Sequence, residues 1–250
     1  MKTVALQVLP AIKLHSLKDA CAQCNARELC LPLGLSDTEL QQLDDVVGNR
    51  QKLKRGEHLY RNGDPFSAIY AIKTGFFKTD VVTEDGRDHV TGFQMHGEIL
   101  GMDGISGDAH ACNAVALEDS EVCVIPFAEL EHLSASVPTL QRHFHRVMSR
   151  EIVRDHGIMM LLGTLRAEER LVAFLLNLSQ RYAARGYSAT EFHLRATRDE
   201  IGSYLGLKLE TVSRALSQLQ DSELIQVQQK YIRITSLDGL KKMLAHTQTC

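Results

Sequence analysis

The sequence predicts an α+β chain in three parts: a β-roll (a double-stranded β-helix), one long helix, and a helix-turn-helix with a wing. Three features of the 250 residues predict it. Between about Gln51 and Phe127, short apolar runs alternate with Gly-rich turns. From Pro138 to Leu165 the turns vanish and apolar residues recur at helical steps. From Arg198 to Leu219 two short helical patterns meet at a glycine.

Taken in order, residues 1–34 form an N-terminal segment in which Cys21, Cys24 and Cys30 crowd together. Residues 35–137 are assigned to the roll. Leu35-Ser36-Asp37-Thr38-Glu39 opens a helix there, with Ser36 as N-cap and Glu39 closing a capping box. AIYAIKTG, FFKTDVV, HVTGFQM and SEVCVIPF read as strands, separated by Asn62-Gly63-Asp64-Pro65, Asp85-Gly86, His96-Gly97 and Ser106-Gly107. Pro138 suits the first turn of a helix over 138–165. His145, Met148, Ile152, Asp155, Met159 and Leu162 recur there at steps of three and four, a short heptad seam. Such a seam pairs with its own copy, so a homodimer is expected. Asp155 would meet its twin in a parallel pair and weaken it. Residues 166–250 form the last unit: an amphipathic helix ending at Gly186, two shorter helices, and the hairpin LIQVQQKYIRI.

The balance of charge separates the parts. From Arg166 onward 12 basic residues stand against 9 acidic, +3, whereas residues 1–165 carry 16 against 22, −6. A mildly basic C-terminal unit suits an anionic partner. No run of eighteen apolar residues spans a membrane, and the start MKTVALQVLPAIKLHSLKDA makes a poor signal peptide, so the cytoplasm is expected. Nucleophile elbow, P-loop and H-E-x-x-H are all missing from the sequence, which argues against an enzyme.

The helix-turn-helix is read from Arg198 to Leu219. Gly202 is small where two helices approach, Gly206 sits where the turn needs positive φ, and Thr197 caps the first helix. Ile201, Leu205, Val212, Leu216 and Leu219 close a small core. On the second helix Glu210, Ser213 and Arg214 share one face. Arg214 can donate twice to guanine, Glu210 can accept from cytosine N4, and Ser213 can do either. Thr211, Lys208 and Arg198 suit phosphates. A dimer would present two such helices to an inverted repeat of double-stranded DNA.

In a reducing compartment C-x2-C-x5-C at Cys21–Cys30 points to metal or redox chemistry. Three thiolates leave a tetrathiolate site one ligand short. Cys112 and Cys123 are candidates for the fourth, with Cys250 a third, and spacing alone does not separate iron–sulfur from zinc.

Together these residues resemble the FNR branch of the CRP/FNR transcription regulators. The motifs are C-x2-C-x5-C-L-P at Cys21–Pro32, GDPFSAIYAIKTG, VTGF, GEILG, VCVIPF at Cys123, MSREI at Met148–Ile152 and RDEIGSYLGLKLETVSR at Arg198–Arg214. The resemblance implies a cyclic-nucleotide-binding-like roll and one [4Fe-4S] cluster per subunit on Cys21, Cys24, Cys30 and Cys123. It also implies a homodimer while the cluster is intact, its loss to oxygen, activation of transcription under anaerobiosis, and TTGAT half-sites read by Glu210, Ser213 and Arg214. RNA polymerase is the implied partner, contacted near Arg185–Ser188 and on roll loops such as Thr83–Arg87. Cys112 and Cys250 have no implied role. Met102 to Cys112 contains no Arg or Lys to meet a cyclic phosphodiester, so cAMP is not expected, and GEILG is read as a retained turn. Arg27 is the basic residue nearest the clustered cysteines in sequence. The alternative is a regulator of the same type with a zinc or thiol-redox site.

Overall fold

The computed structural model describes residues 21–83, 86 and 88–245. After a short turn at Cys21–Gln23, α1 (Asp37–Val46) begins at the expected box: Glu39 N–H donates to Ser36 Oγ at 3.4 Å and Ser36 N–H to the Glu39 carboxylate at 2.8 Å. The roll follows as β1 (Arg50–Leu53), β2 (His58–Tyr60), β3 (Ala68–Thr74), β4 (Phe76–Val82), β5 (Asp88–Met95), β6 (Ile99–Leu100), β7 (Asn113–Ala116) and β8 (Ser120–Pro126). These make two antiparallel four-stranded sheets, ordered β1-β8-β3-β6 and β2-β7-β4-β5. Leu53, Ile72 and Val122 of the first sheet pack on Phe77, Ala114 and Ala116 of the second, forming the inner core.

Strand alternation then decides what each outer face carries. Ile69, Ala71, Cys123 and Ile125 turn away from the inner core, toward α1, α2 (Phe127–Ser136) and the cysteine segment. Phe76, Val90, Phe93 and Met95 turn outward from the second sheet. The roll therefore has one face for the cysteines and another for the C-terminal unit.

α3 (Pro138–Thr164) carries Pro138 in its first turn. Its N-terminal half is buried through Leu140, His143, Phe144 and Val147 against the cysteine-side core. Its second half presents Ile152, Val153, Met159 and Met160 to solvent, each more than half exposed. Next come α4 (Ala167–Ala183), β9 (Glu191–His193), α5 (Arg198–Leu205), α6 (Leu209–Asp221), β10 (Ile225–Gln228), β11 (Tyr231–Ile234) and α7 (Leu237–Ala245). The wing is a three-stranded sheet, β10-β11-β9, rather than the bare hairpin read from the sequence. Three-residue β9 is too short to show an alternation, and α2 and α7 are further short helices beyond those the sequence predicts. The change of texture at Arg166 is not a break in packing: one apolar core joins Phe93 and Val90 of the roll to Leu171, Phe174, Ile201 and Leu216.

Candidate metal centre and nucleic-acid interface

The cysteine segment is shaped by local bonds. Cys24 N–H donates to Cys21 O at 3.2 Å and Cys30 N–H to Ala26 O at 2.9 Å, while buried Ala26 and Leu31 anchor the loop. Two longer-range bonds hold its ends. Cys21 N–H donates to Asp44 Oδ1 on α1 at 2.7 Å, and His143 Nε2 on α3 meets the Cys30 carbonyl at 3.1 Å. Cys123 reaches the same place through strand register, since it pairs with Ala71 of β3 and Arg50 of β1. Cys21, Cys24, Cys30 and Cys123 line one cavity, closed on its apolar side by Leu43, Val47 and Ile125.

Burial pushes the Cys30 thiol up to about 12, helped by the charges of Cys123 and Cys24. Burial, and a hydrogen bond that the thiol donates to the Asp44 carboxylate, raise Cys21 strongly. Cys123 is raised by burial, with nearby Arg50 and Lys73 pulling the other way. A positively charged group among these thiols is what would ionise them. Among the described residues no three His, Cys, Asp or Glu side chains converge closely enough for a single metal ion.

Arg27 lines this cavity, as the sequence led us to expect, but so does Lys73. Lys73 lies two residues beyond Ala71 on the same strand face, and Arg50 stands beside Cys123. Both also pair with Glu121, at 3.5 and 3.8 Å. Only strand register brings them here. Cys112 lies elsewhere, beside Tyr60 and Asp103, with its thiol raised to about 12 by burial and the Asp103 charge. Cys250 falls outside the described residues.

In the helix-turn-helix, Thr197 and Glu200 form a second capping box, with Glu200 N–H donating to Thr197 Oγ1 at 3.2 Å. Gly206 has φ 64°, and a Cβ on Gly202 would sit 2.6 Å from Leu207 O, so both glycines are required. Ile201, Leu205, Val212, Leu216 and Leu219 are all buried. Lys208, Glu210 and Arg214 are exposed, and Thr211 and Ser213 are half-buried. Arg198 Nη1 donates to Ser213 Oγ at 3.2 Å, orienting that hydroxyl.

Of the seam residues, His145, Ile152, Asp155 and Met159 are exposed and Met148 and Leu162 half-buried. Val153 and Met160, missed by the step count, widen the apolar stripe. A cavity of about 490 Å³ lies where α3 crosses the roll, with Asp103, Glu151, Asp155 and Arg154 on its wall. Its arginine is engaged by Glu151 and Glu98, so the wall is net acidic.

Residues 169–243 match the Crp-like helix-turn-helix domain, and residues 50–136 the cyclic nucleotide-binding domain. The "Fumarate and nitrate reduction regulatory protein" of Escherichia coli (strain K12) is 42% identical over 228 residues, 91% of each chain. This chain belongs to the CRP/FNR family of transcription regulators. The "Anaerobic regulatory protein" of Pasteurella multocida is 43% identical over 229 residues, covering 92% of this chain and 84% of that one. FixK2 from Bradyrhizobium japonicum, a solved structure, is similar with a TM-score of 0.72 and 29% identity, covering 78% of this chain and 96% of its own. The CRP/FNR assignment makes the chain a DNA-binding regulator and not an enzyme. No helix among the described residues is long and apolar enough to cross a membrane.

Proposed function

We propose that this regulator responds to oxygen: Cys21, Cys24, Cys30 and Cys123 hold one [4Fe-4S] cluster per subunit, and the loaded homodimer binds inverted TTGAT repeats in the cytoplasm and works with RNA polymerase. The observation that carries this reading is the cavity shared by those four cysteines, three from one loop and one from a distant strand. Zinc needs all four sulfurs about 2.3 Å from one centre, whereas a cluster takes one thiolate at each corner iron. The four-cysteine cavity can serve either arrangement, and the similarity to a relative named as an anaerobic regulator favours the second. When bound, such a group supplies oxygen-labile chemistry and, with four thiolates on a 2+ core, a net charge of about −2. Arg27, Arg50 and Lys73 would offset that charge. His143 would hold the Cys30 carbonyl, and thereby the ligand loop, against α3.

At the other end Glu210, Ser213 and Arg214 would read bases, with Thr211, Lys208 and Arg198 near the backbone. The stripe around Ile152 and Met159 would form the dimer seam together with His145, Met148, Asp155 and Leu162. Cyclic AMP has no place in this reading, because a phosphodiester at the acidic wall near Asp103 and Asp155 would meet carboxylates and an occupied arginine. Of the residues expected to face the polymerase, Arg185 is held inside the protein by Glu98, leaving Gly186, Tyr187 and Ser188 as the exposed part. Glu84, Asp85 and Arg87 of the other loop lie outside the described residues.

Iron and acid-labile sulfide per chain, measured in protein purified without oxygen, test the proposal. About four of each support it, and serine at any of the four cysteines should abolish both while Cys112→Ser keeps them. Zinc near one per chain with no sulfide would leave the DNA-binding half standing and overturn the oxygen-sensing half.

A further inference from the structure

The GEILG run leads from the His96–Gly97 turn into β6, and its glutamate reaches far beyond both. Glu98 follows Gly97, which has φ 85°, and its carboxylate points at the C-terminal unit. Oε2 accepts from Arg181 Nη2 at 2.6 Å and from Met95 N–H at 3.0 Å. Oε1 accepts from Arg185 Nη2 at 2.7 Å and Arg181 Nε at 3.1 Å. Arg154 of α3 stands 3.8 Å away and is paired with Glu151. The two α4-side arginines extend the grip to roll carbonyls: Arg181 Nη2 donates to Phe93 O at 2.7 Å, and Arg185 Nε to His96 O at 2.6 Å.

We infer that Glu98 is a positioning residue for DNA recognition: through Arg181 and Arg185 it fixes the direction of α4, and with it the spacing at which a dimer's two recognition helices meet DNA. The inference rests on the dimer and inverted repeat proposed above. The shared apolar core of Phe93, Phe174 and Tyr204 supplies adhesion, but burial is non-directional. Direction comes from polar contacts: Val90 N–H donates to Ser203 Oγ at 2.9 Å and Lys78 pairs with Glu200 at 3.2 Å on α5, Arg195 pairs with Glu118 at 3.0 Å, and α4 itself is held at two points. Near its start, Arg170 donates to Leu162 O at 2.7 Å, Leu165 O at 2.9 Å and Leu205 O at 3.1 Å, clamping the joint with α3. The second point is Glu98 on Arg181, about 16 Å further along at 1.5 Å per residue. Bidentate carboxylate–guanidinium contacts are geometrically demanding, so this second point resists swinging as well as separation. The pose so fixed leaves Glu210 and Arg214 open to solvent. Without the second point the far end of α4 is held only by the smaller α5 and wing contacts of Ser203, Glu200 and Arg195, so the helix tilts about Arg170 and the recognition helices accept half-sites at other separations.

The test uses the full chain, purified without oxygen, as parent, Glu98→Gln and Arg181→Gln. Glutamine keeps the shape of the glutamate side chain and removes its charge. Each protein is titrated against the inverted repeat at its preferred spacing and with one base pair removed or added, which moves a half-site by about 3.4 Å. We expect the parent to lose about tenfold or more in affinity on either change, the cost of a base contact. The variants should lose no more than about threefold, while binding the preferred operator more weakly. A variant that is weaker on all operators but keeps the parent's spacing penalty overturns the inference, since that is the mark of a merely structural role. Trypsin cleavage after exposed Arg166 in the free proteins supplies a readout that needs no DNA. Several-fold faster cleavage of Glu98→Gln at equal thermal midpoint supports the pivot, and an unchanged rate overturns it. If the parent binds no inverted repeat, the operator reading fails and the cleavage comparison alone decides the role of Glu98.

Discussion

Truncating Ile152 tests the dimer seam with a number attached. The side chain is 55% exposed in the single chain, so a little over half of its surface is left for a partner to cover. Full burial of an isoleucine is worth about 1.5–3 kcal/mol, which leaves about 1–1.5 kcal/mol per copy to be gained on pairing. Alanine forfeits most of this twice in a symmetric dimer, about 2–3 kcal/mol. At 1.4 kcal/mol per factor of ten, the dimer dissociation constant should rise about 30- to 150-fold. Sedimentation equilibrium of cluster-loaded protein without oxygen measures it. Val82→Ala is the control, because Val82 at the end of β4 is 51% exposed yet lies off the helix. A shift for Ile152→Ala below about threefold, or equal to that of the control, would refute the assignment of this face.

Asp155→Ala should act in the opposite direction in the same assay, since Asp155 lies between Ile152 and Met159 on the exposed stripe and its twin would face it; no tightening would place the carboxylate off the seam. His143→Leu leaves the Cys30 carbonyl without its partner at a site only 3% exposed, a cost of about 1–3 kcal/mol. Its thermal midpoint should fall by at least about 2 °C, with recovery in His143→Gln if the bond matters. Gly202→Ala forces a Cβ to 2.6 Å from Leu207 O; operator binding should be lost while iron and sulfide per chain stay at parent levels. Glu98 gives a pH signature. Burial would raise its carboxyl, but Arg181, Arg185 and Arg154 outweigh burial and hold it below the ordinary 4.5. A lowered native value stabilises the fold above the unfolded value and the gain is lost as pH falls through the native one. The stability gap between metal-free parent and Glu98→Gln should therefore be constant near neutrality and narrow below about pH 4.5; a gap that widens in acid contradicts the ion cluster.

What could be read along the chain was set by neighbours in sequence. Ser36 with Glu39, Thr197 with Glu200, and Gly206 at positive φ are local devices, and the structure has all of them. The short apolar run AIYAIKTG ahead of a glycine turn gave a strand, and the alternation of any strand then puts Ala71 and Lys73 on one face. It could not say which strand lies beside them. The pairings of Ala71 and Arg50 with Cys123 bring two cations to the thiols, and nothing within ten residues of either cation hints at it. Glu98 is the sharper case. GEILG reads as a turn in sequence, whereas in the structure it leaves the His96–Gly97 turn and runs into β6, and the charge between them is matched by arginines more than eighty residues later. Val153 and Met160 were passed over for a different reason: an ideal seam is two residues wide per heptad, whereas this helix leaves a broader stripe uncovered.

The division of the roll into two outer faces limits how a change at the cysteines can reach DNA. The cysteine cavity abuts the β1-β8-β3-β6 sheet, and the helix-turn-helix abuts the other. A signal through the roll itself would have to deform a buried inner core, and packed interiors resist deformation. α3 offers a softer route because it meets both sides. At its N-terminal half His143 holds the Cys30 carbonyl and Phe144 and Val147 lie in the cysteine-side core; near its middle Arg154 meets Glu98, which in turn grips Arg181 and Arg185. Between these points the helix exposes the stripe proposed for dimerisation. A small rotation of α3 therefore changes the dimer seam and the hold on α4 together, without any rearrangement inside the sheets. On this argument, mutations that uncouple oxygen response from DNA affinity belong at His143 and Arg154, and inner-core substitutions such as Phe77→Leu should change stability while leaving the coupling intact.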